Sequence, residues 1–239
     1  MNIDLSGKVV LVAGGTGGLG RSVSLAFLGE GARVAVTYRR AEEFDALKLA
    51  AGSQSGNLEG DRIDINDEQA VTALAADILK RYGRIDVVVN TIGGYAGGLK
   101  LWETESKVFE KMLDLNLRSG FSLARATMPA MLGQGSGAFI NVGAKAAFDH
   151  SAGASAYAAS KAGAVAMMDC LAADALGTGV RVNSILPSII DTEANRKAMP
   201  GAAFDKWPKP EAIADVILFL ASDAAGVIHG ASIPVYGSY

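Results

Sequence analysis

The sequence predicts an α/β fold built on a doubly wound parallel sheet of about seven strands, and three observations predict it. Short β-branched runs alternate with longer stretches of helical period, which is a β-α-β rhythm. The strand runs are apolar throughout instead of alternating, as strands are when helices bury both faces of a parallel sheet. The glycine-rich pieces are brief and fall at strand ends, where sheets of this kind bind their ligands. At 239 residues, half of them hydrophobic, the chain can bury one sizeable core, and it shows no internal repeat. A single domain spanning residues 1–239 is expected.

The first strand is "KVVLVA", and it runs into "VAGGTGGLGRS". Two overlapping patterns lie there, Gly15-x-Gly17-x-x-Gly20 and Gly14-x-x-x-Gly18-x-Gly20, each following a strand and opening a helix. Glycines let the backbone turn tightly and approach a pyrophosphate, whose charge meets the first amides of the next helix. Glycine clusters also make plain strand-helix turns, but in a β-α-β setting the pattern points to a dinucleotide.

The second strand, "RVAVTY", ends at Tyr38, followed by Arg39 and Arg40, where an NAD-preferring site places an acid for the ribose hydroxyls. A guanidinium there can fork onto a 2′-phosphate, so NADP(H) is favoured over NAD(H). The alternative is a pair of surface arginines opening a solvated helix. The third strand, "NLEGDRI", leads to Asp64, which either accepts from the adenine amino group or caps the following helix. The fourth is "IDVVVN" and the fifth "GAFINV"; the sixth, "VRVNSIL", precedes "LPSIIDT", and "SIPVY" is the seventh.

Composition removes several classes of function. With 22 basic and 25 acidic residues and no long like-charge run, neither nucleic acid nor an anionic membrane surface is an expected partner. Cys170 is the only cysteine, and His150 and His229 lack metal-ligand spacing, so no intrachain disulfide and no metal site are expected. The first residues, "MNIDLSGKVVLVAGG", leave no room for a signal peptide before the first strand, and a cytoplasmic protein is expected.

Tyr157-x-x-x-Lys161 carries acid-base chemistry in its spacing. Residues four apart share a helix face, so the lysine ammonium can stand near the phenol. A free phenol has a pKa of about 10, and a nearby cation favours the phenolate. Bringing it near neutrality takes roughly 4 kcal/mol of differential stabilisation. The alternative is an amphipathic helix with an aromatic on its core edge and a solvated lysine.

Gly14-x-x-x-Gly18-x-Gly20, Asn90 in "VVVNTIGG", Asn116 in "LDLNLRS", the Tyr157 and Lys161 pair, and residues 187–192 in "LPSIIDT" follow one another at fitting intervals. Together they resemble the short-chain dehydrogenases/reductases over essentially the whole chain. The resemblance implies a Rossmann-type fold and a small-molecule substrate. Tyr157 would donate a proton to the reduced substrate, Lys161 would tune it and hold the nicotinamide ribose, and Asn116 would support a water relay behind the lysine. It also implies a dinucleotide lined by Gly14, Thr16, Gly18, Leu19, Gly20, Tyr38, Arg39, Asp64, Ile65, Asn90, Gly93, Pro187, Ile190 and Thr192. A homodimer or homotetramer is implied as well, paired through apolar stretches such as "FSLARATMPAML" and "AVAMMDCLAADAL"; these can equally complete the monomer core.

One hydroxyl is missing from the pattern. Family members that reduce ordinary ketones carry a serine in the register that here falls on Ala144, donating to the oxygen that becomes an alkoxide. Loss of such a donor typically costs a factor of about 10² to 10³ in rate. "GAKAA" at this position, "GGYAGG" at residues 93–98 and "LPSIIDTEANRKAMPGAAFDKW" together resemble the quinonoid dihydropteridine reductases, which also keep the tyrosine and lysine without the serine. Hydride delivered to a ring nitrogen of such a pterin develops no alkoxide, so positioning, a hydride donor and one proton source suffice. Tyr95 would then be the aromatic wall for a flat ring, matching a tryptophan in that branch. Residues 195–207 would form either a flap, with Met199, Phe204 or Trp207 excluding water, or a small core-closing helix. That branch has an acid after the second strand where this chain has Tyr38 and Arg39, so its cofactor preference does not carry over. Two further readings compete: a carbonyl reductase with a water or backbone amide in place of the serine, and a non-catalytic dinucleotide-binding sensor or scaffold.

Overall fold

The computed structural model describes residues 3–238. All seven strand-like runs form strands: β1 (Val9–Ala13), β2 (Arg33–Tyr38), β3 (Leu58–Arg62), β4 (Val87–Asn90), β5 (Gly137–Val142), β6 (Val180–Pro187) and β7 (Ser232–Val235). They pair in parallel in one sheet of order β3-β2-β1-β4-β5-β6-β7. This is the single-domain, Rossmann-type arrangement expected. Between them run α1 (Gly18–Gly29), α2 (Ala41–Ala51), α3 (Glu68–Tyr82), α4 (Ser106–Leu113), α5 (Ser119–Gln134), α6 (Ser155–Asp174), α7 (Glu193–Ala198) and α8 (Pro210–Ala221).

Alternation along the strands divides the core in two. Val10, Val12, Val34, Val36, Val87, Val89 and Ile185 pack with Val23 and Phe27 of α1 and Ile213 and Ile217 of α8. Val9, Leu11, Ala35, Val88, Phe139 and Val182 pack on the other face with Val71 and Ile78 of α3, Leu123 and Met131 of α5 and Met168 of α6. A fully buried valine or leucine contributes about 1.5–3 kcal/mol, which is why every residue of β1 and β4 is apolar except Asn90. The edges depart from the expectation of uniformly apolar strands. β3 and β7 each have a single strand neighbour and are only partly buried, and β3 carries Glu59 and Asp61.

The order reverses between β1 and β4, each of which leads back out to one half of the sheet. Their carboxyl ends leave a crevice at this switch point. Among the described residues, no helix is long and apolar enough to cross a membrane.

Candidate active site and dinucleotide cleft

The crevice is a cleft of about 190 Å³ lined by Gly14, Thr16, Gly17, Tyr38, Arg39, Ile65 and Gly93, with Thr37, Glu43, Ile63, Thr91, Ile92 and Leu115. Its floor is the glycine turn after β1. Gly14 has φ of 74°, a conformation open to glycine, and its amide donates to Thr37 Oγ1 at 2.9 Å. Gly20 faces the turn so closely that a Cβ there would lie 2.0 Å from the Gly14 carbonyl oxygen. Gly17 caps α1 without a side chain, leaving the first amides of the helix to an anion such as a pyrophosphate. Gly18 touches the segment after β6: a Cβ there would lie 2.8 Å from Thr192 Cγ2. The donor set and the close backbone approach fit a dinucleotide.

Not every anticipated residue faces the cleft. Asn90 is buried in the core, where Nδ2 donates to Asn141 Oδ1 at 3.0 Å and to Ser119 Oγ at 3.3 Å, while Oδ1 accepts from the Ile92 amide. It sets the path of the loop after β4. Asp64 is exposed and accepts from the Asn66 amide at 3.0 Å, a local turn; the cap of α3 is Asp67, which accepts from the amides of Gln69 and Ala70. Thr192 caps α7 by accepting from the Asn195 amide, and the Ile190 carbonyl accepts from Asn195 Nδ2 at 2.8 Å. Asp191 between them is paired with Arg196 and Lys209, which hold its carboxyl well below the usual range. These ties fix the segment that follows Pro187.

Asn116 lies in a π-helical turn, Asp114–Arg118, inserted between α4 and α5. Such single widened turns concentrate at functional sites. Its Oδ1 accepts from the Gly94 amide at 2.9 Å, and Nδ2 donates to the Gly94 carbonyl and to Ser160 Oγ, both at 3.0 Å. The side-chain amide therefore holds the loop at residues 93–94. That loop lies against the lysine, since a Cβ on Gly93 would sit 3.1 Å from both Asn116 Oδ1 and Lys161 Nζ.

Lys161 is 4% exposed and donates to the Val142 carbonyl at 2.8 Å. Burial lowers its pKa to about 8, because the charged form loses its hydration. The expected depression of the Tyr157 pKa is corrected here: burial, with the neighbouring Tyr95, pushes it up to about 12. The ammonium is directed to the Val142 carbonyl at the end of β5, and loss of hydration of the phenolate is the largest effect on Tyr157. Tyr157 thus holds its proton at neutral pH.

Ala144 is 5% exposed, in extended backbone just beyond β5, and carries only its methyl where the hydroxyl was expected. Ser160 offers no substitute, since its hydroxyl is buried, donates to the Tyr157 carbonyl at 2.7 Å and accepts from Asn116. Tyr95 is 69% exposed and meets the Tyr157 ring edge to face, with centroids 5.0 Å apart. Gly97 leaves room for it, as a Cβ there would lie 2.2 Å from the Tyr95 hydroxyl oxygen. Trp207 is 3% exposed and packs against the Phe204 ring, so of the three proposed flap residues it is buried while Met199 and Phe204 are more open.

The family model described as short chain dehydrogenase matches residues 8–202. This chain belongs to the short-chain dehydrogenases. It is 36% identical to D-threitol dehydrogenase of Mycolicibacterium smegmatis, covering 98% of this chain and 94% of that one. It is 31% identical to the 3-oxoacyl-[acyl-carrier-protein] reductase FabG of Thermotoga maritima, covering 98% of each. Among solved structures it is similar to ElxO with NADP bound, at a TM-score of 0.91 and 26% identity over 97% of this chain and 98% of that one. The dehydrogenase is accordingly an NAD(P)-dependent oxidoreductase.

Several residues of the dehydrogenase's cleft carry no motif. Thr37 and Thr91 lie at strand ends, and Thr91 Oγ1 donates to the Ala13 carbonyl at 2.7 Å, clasping β4 to β1. Glu43 stands in the first turn of α2; its one legible signal is its place three residues after Arg40, with which it pairs.

Proposed function

We propose that the protein passes hydride from NADPH to a flat, conjugated, electron-poor heterocycle of the quinonoid dihydropterin kind. The observation that carries this reading is Ala144, a buried methyl just beyond β5, in a chain that retains Tyr157 and Lys161. The nicotinamide, when bound, supplies the hydride. Every other requirement falls to this chain. The glycine turn and the segment at residues 187–192 hold the dinucleotide, and Lys161, braced by Val142 and the Gly93 loop, grips the ribose. Tyr157, with its pKa near 12, keeps the proton until the reduced substrate takes it. Tyr95 offers the aromatic wall. Arg39, exposed on the cleft wall, supports NADP(H) over NAD(H).

A second reading, carbonyl reduction with a water or backbone amide in place of the serine, is favoured by relatives named for D-threitol, 3-oxoacyl and 7α-hydroxysteroid substrates. A homodimer or homotetramer fits the exposed Phe109 of α4 and Phe121 and Leu132 of α5, and the exposed thiol of Cys170 suits the cytoplasm. The test is loss of NADPH absorbance with freshly generated quinonoid dihydropterin and with simple ketones, Tyr157→Phe serving as control. Tyrosine-dependent turnover of the pterin with little ketone activity is expected; ketone turnover alone selects the second reading.

A further inference from the structure

Tyr236 lies just beyond β7, between two segments that are far from it in sequence. On one side its ring packs against Ala147, Val165 and Leu186. The Lys145 ammonium stands over the same ring, 5.5 Å from its centroid, and pairs with Asp149 at 3.1 Å. Lys145 and Ala147 belong to the turn that Ala144 opens, so the ring fastens that turn to the end of β6. On the other side the backbone makes the contacts. The Tyr236 carbonyl accepts from Ser188 Oγ at 2.7 Å, and the Ser238 amide donates to the Lys206 carbonyl at 3.2 Å. Gly237 between them has φ of 72°, and a Cβ there would lie 2.7 Å from the Lys206 carbonyl oxygen and 2.9 Å from the Pro208 nitrogen.

The segment held in this way is the flap at residues 195–207. Its base is anchored separately: the Asp191 carboxylate pairs with Arg196 and Lys209, and the Asp191 amide donates to the Pro208 carbonyl at 3.0 Å. Arg196 lies over the Phe204 ring, 4.8 Å from its centroid, and that ring meets Trp207 edge to face. Residues 236–238 thus connect the flap to the turn that Ala144 opens.

We infer that Tyr236 is a positioning residue for the substrate: with Gly237 and Ser238 it straps the flap to the turn after Ala144 and sets the gap in which the hydride acceptor lies. An acceptor held between two walls binds less tightly when one wall is loose, because fixing that wall then costs conformational entropy. The inference rests on the reading of Ala144 and the flap as the substrate site, and it deepens that reading by naming what holds the two together.

Limited trypsin digestion of the whole protein tests the strap without any substrate, and steady-state kinetics with whichever acceptor the wild type reduces tests its use. Wild type, Tyr236→Ala and Tyr236→Phe would be compared. Tyr236→Ala is expected to speed cleavage after Lys197 and Lys206 by about tenfold, since proteolysis follows the population of the opened segment. It should also raise KM by about tenfold, while the dissociation constant for NADP⁺ stays within about twofold of wild type. Tyr236→Phe keeps the ring and should restore both. Wild-type cleavage and KM in Tyr236→Ala overturn the inference, as does an equal loss in Tyr236→Phe. Faster cleavage at every site together with weaker NADP⁺ binding would show general loosening, and overturns it too. Should Tyr236→Ala not fold, Gly237→Ala tests the same strap through its clash with Lys206, and wild-type cleavage and KM there overturn the inference equally. A wild type that reduces neither pterin nor ketone overturns the substrate reading and the positioning role with it, whereas normal turnover with unchanged cleavage in the variants overturns the strap alone.

Discussion

The glycine-turn half of the cleft is made of backbone, whereas the tyrosine-lysine half is made of side chains that other side chains hold in place. In the first half, Gly14 turns, Gly20 clears the Gly14 carbonyl, and Gly17 leaves the amides of α1 open. In the second, Asn116 fixes Gly94, the Gly93 loop abuts Lys161, and Val142 holds the ammonium. A backbone site admits little variation, because a single methyl group blocks it. A side-chain site can lose one member, here the hydroxyl at Ala144, and keep the rest of its arrangement, so that half is where a family changes substrate while keeping its cofactor.

The largest expected effect falls on the side-chain half. Tyr157→Phe should lower kcat by about 10² to 10⁴ while leaving dinucleotide affinity unchanged, since it removes the proton source and nothing from the glycine turn. A parallel loss of affinity would show that the two halves are not separable. Gly20→Ala is next: its Cβ meets a backbone oxygen at 2.0 Å that cannot rotate away, so a loss of about 3 kcal/mol or more in urea unfolding is expected, together with loss of dinucleotide binding.

Lys161 supplies a comparable effect that depends on pH. Below its folded pKa of about 8 the buried lysine is charged at a desolvation cost that the unfolded chain does not bear. Between pH 8 and 10 the folded lysine has lost its proton and the unfolded one has kept it, so stability rises with pH, by about 2–3 kcal/mol across the window. Tyr157, raised to about 12, acts in the opposite direction above pH 10 and bounds the scan. The rise should be absent from Lys161→Met; if it persists there, the lysine is not its source. The smallest effect is Gly93→Ala. Its Cβ would lie 3.1 Å from the end of the Lys161 side chain, which can shift, so a stability change below about 1 kcal/mol and a roughly tenfold drop in kcat are expected.

The same contrast governs what was legible in the sequence. All seven strands and the glycine turn were readable because local pattern determines them: apolar runs for buried strands, and glycines where backbone must pass close to backbone. Tyr157 and Lys161 were readable as a spacing, but the protonation of the pair was not. The direction of the Lys161 side chain toward Val142 and the burial of the phenol arise from β5 and the Gly93 loop, far away in sequence. Asn116 was readable by position, but its hold on Gly94 was not, since the π turn that aims it there has no sequence period. Asp64 and Asn90 were readable by position, whereas their partners, the Asn66 amide and Asn141, were not. Glu43 carried no motif because its contact with Thr16 arises only on folding.

Ala144→Ser asks whether the substrate needs an oxyanion donor where Ala144 stands. Rates of NADPH oxidation would be compared for wild type and variant with quinonoid dihydropterin and with a simple ketone. A hydroxyl introduced there should leave the pterin rate within about twofold and raise the ketone rate by about tenfold or more, toward the full worth of such a donor. A wild type that already reduces ketones at full rate, unimproved by the serine and inactive on the pterin, would contradict it.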